Sequence, residues 1–197
     1  MSAKPIVALD ADGVIVDWYA KFLVYLNNEL GTTFTLNQVT DHNFESVLGM
    51  PVGSMRKHVK KYYQLHPVDT LPKIPGAIEA IKQLAQHYEI IIITSRSEPY
   101  RHATHRWFKE HLPGVPIHFS LGANNPYAGG EGRKTKLEIA KSLGARYFID
   151  DNPYEFDGWQ HDHVTAICFK QPWNAGVKNV PRMDWAEIKN FLLKSAI

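Results

Sequence analysis

Four carboxylates in two tight pairs stand out in this chain: Asp10 and Asp12, in the run Asp10-Ala11-Asp12-Gly13, and the adjacent Asp150 and Asp151. Brought together they would repel one another unless a cation stood among them, and an all-oxygen set suits Mg²⁺ better than zinc. A carboxylate facing a phosphate whose charge is offset in this way can attack phosphorus and form an aspartyl-phosphate. Two further features fit the same chemistry. Thr94-Ser95 supplies hydroxyls, and Lys134-Thr135-Lys136 supplies an ammonium that would offset charge on the transferred oxygens.

These residues follow elements able to hold them at one edge. Ile6 to Leu9 is a short apolar run ending at Asp10, and Ile90 to Ile93 is β-branched throughout and ends at Thr94. Tyr147 to Ile149 ends at Asp150, and Val164 to Phe169 ends at Lys170-Gln171-Pro172. Continuous apolar strands of this kind are what a parallel sheet covered on both faces requires. In open sheets the ligand site lies beyond the carboxyl ends of the strands, so Asp10, Asp12, Thr94, Asp150 and Asp151 are expected to converge there.

Helical patterns separate the strands. Pro75 to Leu84 spaces Ile78, Ile81 and Leu84 three apart behind a proline suited to a first turn. Pro99 opens a segment in which Trp107, Phe108 and Leu112 can share a buried face. Thr135 and Glu138 read as a capping box for a helix from Lys136 to Leu143, with Gly144 as its stop. A last helix covers Trp185 to Lys194. The alternation predicts an α/β, Rossmann-like doubly wound parallel sheet. It is interrupted between Asp17 and Pro72, where helical patterns at Trp18 to Leu30, Leu36 to Thr40 and Ser54 to Tyr63 predict a small helical cap inserted after the first strand. The expected division is therefore a core of residues 1–16 and 73–197 and a cap of residues 17–72. The glycine-containing stretch from Asn124 to Gly132 reads as a mobile loop.

Composition narrows the choice. With 197 residues and 44% hydrophobic content, the chain can bury one core with a modest insertion. Its 22 basic and 20 acidic side chains leave a net charge of +2, which disfavours nucleic acid as the partner. Asp10 and Asp12 cut short the first apolar run, so no membrane span or signal segment is drawn there. A single cysteine, Cys168, suits the reducing cytoplasm. Ten histidines are present, but pairs such as His102/His105 and His161/His163 lack companions at zinc-ligand spacing. The basic run Arg56 to Lys61 reads first as a solvated helix face, with attraction of an anionic substrate toward the cleft as the alternative.

The four elements Asp10-Ala11-Asp12-Gly13-Val14, the strand ending at Thr94, the lysine turn and Asp150-Asp151 resemble, in order and context, the motifs of the haloacid dehalogenase-like (HAD) phosphohydrolases. Asp10 to Asp17 followed by Trp18, then Thr94-Ser95, then Ile149-Asp150-Asp151, is similar to the 5′(3′)-deoxyribonucleotidase branch. Phe169-Lys170-Gln171-Pro172-Trp173-Asn174 also resembles a Pro-aromatic-Asn element of that branch. The resemblance implies that Asp10 is the nucleophile and a Mg²⁺ ligand, and that Asp12 is first the acid for the leaving alcohol and then the base for water. It further implies that the Asp12 carbonyl and Asp150 complete the metal ligands, with Asp151 orienting waters or adding charge. Thr94 and the Ser95 backbone N–H would hold the phosphate. The phosphate-contacting lysine is Lys136 or Lys134, with Lys136 preferred for its place at the start of its helix.

Arg96 departs from the small residue or proline associated with that branch, and is a candidate either for phosphate or substrate contact or for pairing with a helix acid. Tyr19 and Phe44 are candidates for contact with a base, although most cap aromatics must pack the cap itself. The implied activity is Mg²⁺-dependent hydrolysis of a small phosphomonoester, a nucleoside monophosphate first among them. Alternatives are another small phosphomonoester, a nucleic-acid 3′-phosphate end, a non-catalytic module holding Mg²⁺ or phosphate, and a nucleotide-sugar diphosphate site of the glycosyltransferase kind.

Overall fold

The computed structural model describes residues 3–120, 134–157 and 163–196. Its strands are β1 (Ile6–Leu9), β2 (Glu89–Thr94), β3 (Ile117–Phe119), β4 (Ala145–Asp150), β5 (Thr165–Phe169) and β6 (Arg182–Met183). They form one parallel sheet in the order β3-β2-β1-β4-β5-β6. The helices are α1 (Trp18–Leu30), α2 (Phe44–Val47), α3 (Met55–Leu65), α4 (Ala77–Leu84), α5 (Arg101–His111), α6 (Lys136–Ser142) and α7 (Trp185–Ser195). No helix among the described residues is long and apolar enough to cross a membrane.

The central strands are apolar on both sides because both sides are covered. Val7, Leu9, Ile90, Ile92, Tyr147 and Ile149 share one buried cluster with Ile81 and Leu84 of α4, Trp107 and Phe108 of α5, and Ile188 and Leu192 of α7. On the other face Ala8, Ile91, Ile93 and Phe148 pack with Ala140 of α6 and with Phe156. Four of the six strands were legible as apolar runs; β3 and β6 were not. These two are edge strands of three and two residues, only partly buried, so they carry no run of the required kind.

Local signals set most element ends. The capping box at α6 forms as expected: Glu138 N–H donates to Thr135 Oγ1 at 3.0 Å, and Thr135 N–H to Glu138 Oε2 at 2.7 Å. Gly144, at φ +71°, follows that helix. At α4 the start falls later than the proline suggested. Gly76 adopts φ +78° and is the cap residue, which leaves Pro75 outside the helix. Leu36–Gln38 is a single 3-10 turn in place of a longer helix.

Between β1 and α4 the chain forms α1, α2 and α3 with short 3-10 turns, and the only strand-like pairings there are isolated bridges at Val16. Aromatic packing binds this segment together. Trp18 stacks on Phe22 with centroids 4.4 Å apart, and Tyr62 meets Phe22 edge-on at 5.3 Å. It is also tied to α5 and the turn that precedes it. Tyr63 packs against Tyr100 at 4.2 Å, Trp107 Nε1 donates to Leu71 O at 2.7 Å, and Arg106 pairs with Asp69. The stretch from Asn124 to Gly132 and His161 lie outside the described residues.

Candidate active site

The strand order determines which polar ends meet. β1 lies between β2 and β4, and the order reverses at β1, which is where an open α/β sheet forms its crevice. Register sets Leu9 opposite Ile149, and Asp10 N–H continues the ladder to Ile149 O at 2.9 Å. The next residue on each strand is therefore a carboxylate beside a carboxylate: Asp10 next to Asp150.

Lys136 lies between them. Its Nζ is 2.7 Å from Asp10 Oδ2 and 2.9 Å from Asp150 Oδ2, with all three side chains buried. The lysine is delivered by the first residue of α6, so the Thr135 cap that starts the helix also aims the ammonium. Lys134 stays exposed two residues earlier. Asp151 completes the cluster: Asp10, Asp150 and Asp151 each offer an oxygen within 4.8 Å of the others.

Burial dominates the electrostatics here. It pushes the Asp10 carboxyl up to about 8, with Lys136 pulling against it and Asp150 adding to it. Burial likewise pushes the Asp151 carboxyl well up, reinforced by Asp150 and Asp10. Burial works against the Lys136 ammonium, but Asp10 and Asp150 outweigh it and hold the proton more firmly than usual. Asp151 Oδ1 is a buried oxygen with no hydrogen-bond partner among the described residues. Three clustered carboxylates, one with an oxygen left over, fit a hard divalent cation taking oxygen ligands.

Gly13 lets the first loop reach this cluster. It adopts φ +80°, and a Cβ built there would lie 2.5 Å from Asp151 Oδ2 and 2.8 Å from Tyr19 Cε2. Any side chain would therefore face both backbone strain and a collision with the third carboxylate.

Asp12 points elsewhere. Arg96 grips both of its oxygens, Nη2 to Oδ1 at 2.6 Å and Nε to Oδ2 at 2.8 Å, and Arg96 Nη1 reaches Thr104 Oγ1 at 3.3 Å. The guanidinium is buried, whereas the Asp12 side chain keeps 20% of its surface exposed. Arg96, expected at a phosphate or substrate, is thus committed to Asp12. The two lie 84 residues apart in sequence, which explains why no local pattern predicted the pair. Thr94 is buried at the end of β2 and accepts the Arg96 N–H at 3.3 Å, and Ser95 Oγ meets Ser120 Oγ at 2.9 Å.

The helical segment supplies the aromatic side of the site. Tyr19 lies by Gly13, donates to or accepts from His42 Nε2 at 2.8 Å, and packs on Trp173 at 4.4 Å. Burial raises the Tyr62 phenol to about 12, with Asp12 adding to it, and Tyr63 shifts upward for the same two reasons. Phe44 behaves differently from Tyr19. It is 4% exposed and packs against Tyr19, Phe22 and Trp173, so its ring is spent on packing.

One group of residues had no assigned role in the sequence reading. After β5, Gln171 Nε2 donates to Gly13 O at 2.7 Å, and Trp173 Nε1 to Asp151 Oδ2 at 3.0 Å. Asn174 Nδ2 donates to Asp151 O at 2.8 Å and to Phe169 O at 2.7 Å. The signal available was positional: polar residues directly after a core strand, at the same edge as the carboxylates. The Asn152 side chain, by contrast, caps the turn Pro153–Phe156, as a residue of its type often does.

The parallel sheet and the carboxylate–lysine edge together define a HAD-type phosphohydrolase. Solved structures agree on the fold. A HAD family hydrolase from Deinococcus radiodurans, crystallised with phosphate and sodium, superposes with TM-score 0.64 at 18% identity over 98% of this chain and 97% of its own. A HAD-like hydrolase from Streptococcus pneumoniae gives 0.61 at 13% identity, covering 97% and 99%. Residues 4–125 match the family described as 5′ nucleotidase, deoxy (pyrimidine), cytosolic type C, and the chain belongs to that family. Among its relatives, a protein of Halalkalibacterium halodurans provisionally named a nucleotidase is 26% identical over 81% of this chain and 72% of its own. A Staphylococcus epidermidis protein provisionally named a 5′(3′)-deoxyribonucleotidase is 23% identical over 94% of each.

Proposed function

We propose that the protein hydrolyses the phosphate ester of a nucleoside monophosphate through an aspartyl-phosphate on Asp10, with Mg²⁺ as its cation. The observation that carries this reading is the buried convergence of Asp10, Asp150 and Asp151 around Lys136. The provisional names of the relatives support the nucleotide as substrate.

Asp10, Asp150 and Asp151 are the side chains that would hold the metal. When bound, Mg²⁺ would supply positive charge against the phosphoryl oxygens. An Asp10 oxygen attacks phosphorus and the P–O bond to the sugar breaks, while Asp12, released from Arg96 and protonated from solvent, gives that proton to the departing alcohol oxygen. Water then attacks the same phosphorus, leaving its proton on Asp12 and releasing inorganic phosphate from Asp10. Arg96 holds both Asp12 oxygens, so each proton transfer requires one of them to leave the guanidinium. Lys136 holds the nucleophile in place and offsets charge as it builds on phosphate. Thr94 and the Ser95 N–H are assigned to the phosphate. Residues 17–72 are assigned as a cap that covers the edge, excludes water and selects the substrate, with Tyr19 lining its inner side. The cytoplasm is the assigned location.

Phosphate release from 5′- and 3′-nucleoside monophosphates and simple sugar phosphates, with and without Mg²⁺, tests the reading. Metal-dependent release from nucleotides, lost in Asp10→Asn with the circular dichroism spectrum unchanged, is the expected result. Release from sugar phosphates alone overturns the substrate, and full turnover by Asp10→Asn overturns the covalent route.

A further inference from the structure

Asp151 lacks what its two neighbours have. Asp10 and Asp150 are oriented by the Lys136 ammonium, and Asp150 Oδ1 also accepts the Asn152 N–H at 2.9 Å. Asp151 is fully buried, and the side-chain donor that reaches its carboxylate is the indole of Trp173. A buried carboxylate with a free choice of rotamer makes a poor ligand, because part of the binding energy is spent on orienting it. Trp173 removes that choice.

The ring is fixed on several sides. Trp173 packs on Tyr19 at 4.4 Å and meets Phe44 and His42 at 6.2 and 6.3 Å. Its chain neighbours are anchored as well. Asn174 holds the Asp151 and Phe169 carbonyls, and Arg182 donates to Asn174 Oδ1 from both Nε and Nη2 at 3.0 Å and to the Gln171 carbonyl at 3.1 Å. Gln171 reaches across to the Gly13 carbonyl, which ties the strap to the loop carrying Asp10 and Asp12. With Oδ2 taken by the indole, Oδ1 is the oxygen left without a hydrogen-bond partner among the described residues.

We propose that Trp173 is a positioning residue for the metal site: its indole N–H pins Asp151 Oδ2 so that Oδ1 remains available to the cation, and the Gln171–Asn174 strap couples this orientation to the first loop. The inference rests on the metal site proposed above. It assigns no contact between Trp173 and the phosphate. Loss of the indole N–H therefore weakens the cation and leaves the chemistry at saturating metal largely intact. Outer-shell partners of metal ligands typically set affinity by about 10–100-fold, and a weakening in that range is expected here.

The test is Mg²⁺ binding to the whole protein by isothermal calorimetry, with Mn²⁺ binding followed by electron paramagnetic resonance, for the wild type and Trp173→Phe. Phenylalanine keeps an aromatic ring against Tyr19 and removes the donor. A second variant carries 3-benzothienylalanine at position 173, which preserves the shape of indole without its N–H and decides the matter if Trp173→Phe melts below the assay temperature. The expected result is a dissociation constant raised about 10–100-fold in both, with kcat restored by excess Mg²⁺. Wild-type affinity in both variants overturns the role of Trp173 while leaving the metal site standing. Absence of Mg²⁺ and Mn²⁺ binding by the wild type itself overturns the metal site and the inference together.

Discussion

Replacing Lys136 by methionine removes the one ammonium that the structure places between Asp10 and Asp150, at 2.7 and 2.9 Å. The methionine chain keeps the volume, so the loss is electrostatic. Breaking a buried ion pair from one side costs about 3–5 kcal/mol, because the remaining charge stays buried without its partner. At roughly 2–4 °C per kcal/mol for a chain of this size, Tm falls by roughly 6–20 °C. The sign with pH follows from Asp10. Burial already pushes its carboxyl up to about 8 against the pull of Lys136, and removing that pull raises it further. A carboxyl held above its unfolded value keeps the folded state stable at low pH and loses that stability as pH rises. The deficit of Lys136→Met is therefore larger at pH 8 than at pH 5. Mg²⁺ should return part of it, about 2.7 kcal/mol at a hundredfold excess over the dissociation constant. Scanning calorimetry at the two pH values, in EDTA and in Mg²⁺, reads all three effects alongside phosphate release. Lys134→Met is the control: an exposed substitution of this kind changes stability by at most about 0.5 kcal/mol. If Lys136→Met matched that control at pH 8 and kept its turnover, the reasoning would be refuted.

Arg96→Met should lower kcat by more than tenfold with little change in KM, since the guanidinium acts through Asp12; a rise in KM alone would return Arg96 to the phosphate. Gly13→Ala should cost about 2–4 kcal/mol from left-handed backbone strain and the collision with Asp151, and chemical denaturation would detect it. Cys168 is buried, and burial raises its thiol to about 12, with Asp151 and Asp150 adding to the shift. It should resist a thiol reagent at pH 8 until guanidinium unfolds the chain, and labelling of the native protein at the rate of a free thiol would contradict this.

The chemistry-bearing residues were legible because they follow elements with strong local signatures. Asp10 directly follows, and Thr94 and Asp150 end, strands buried on both faces, and such strands must be written as unbroken apolar runs. The helix that carries Lys136 announced itself through a capping box closed within four residues. These signals depend on near neighbours in the chain, so the sequence by itself determined the sheet class, the edge at which the carboxylates gather and the reaction class they suit.

Pairings between distant residues were a different matter. The preference for Lys136 over Lys134 was legible from the helix start, but its place between Asp10 and Asp150 depends on α6 packing beside the ends of β1 and β4. Asp12 and Arg96 meet because β1 and β2 are adjacent strands, and Trp173 finds Asp151 because the chain after β5 folds back over the end of β4. Phe44 and Tyr19 carry similar rings, yet packing buries the first and leaves the second at the edge of the site. Each outcome is a choice among contacts of similar local energy, settled by which elements the sheet order brings together.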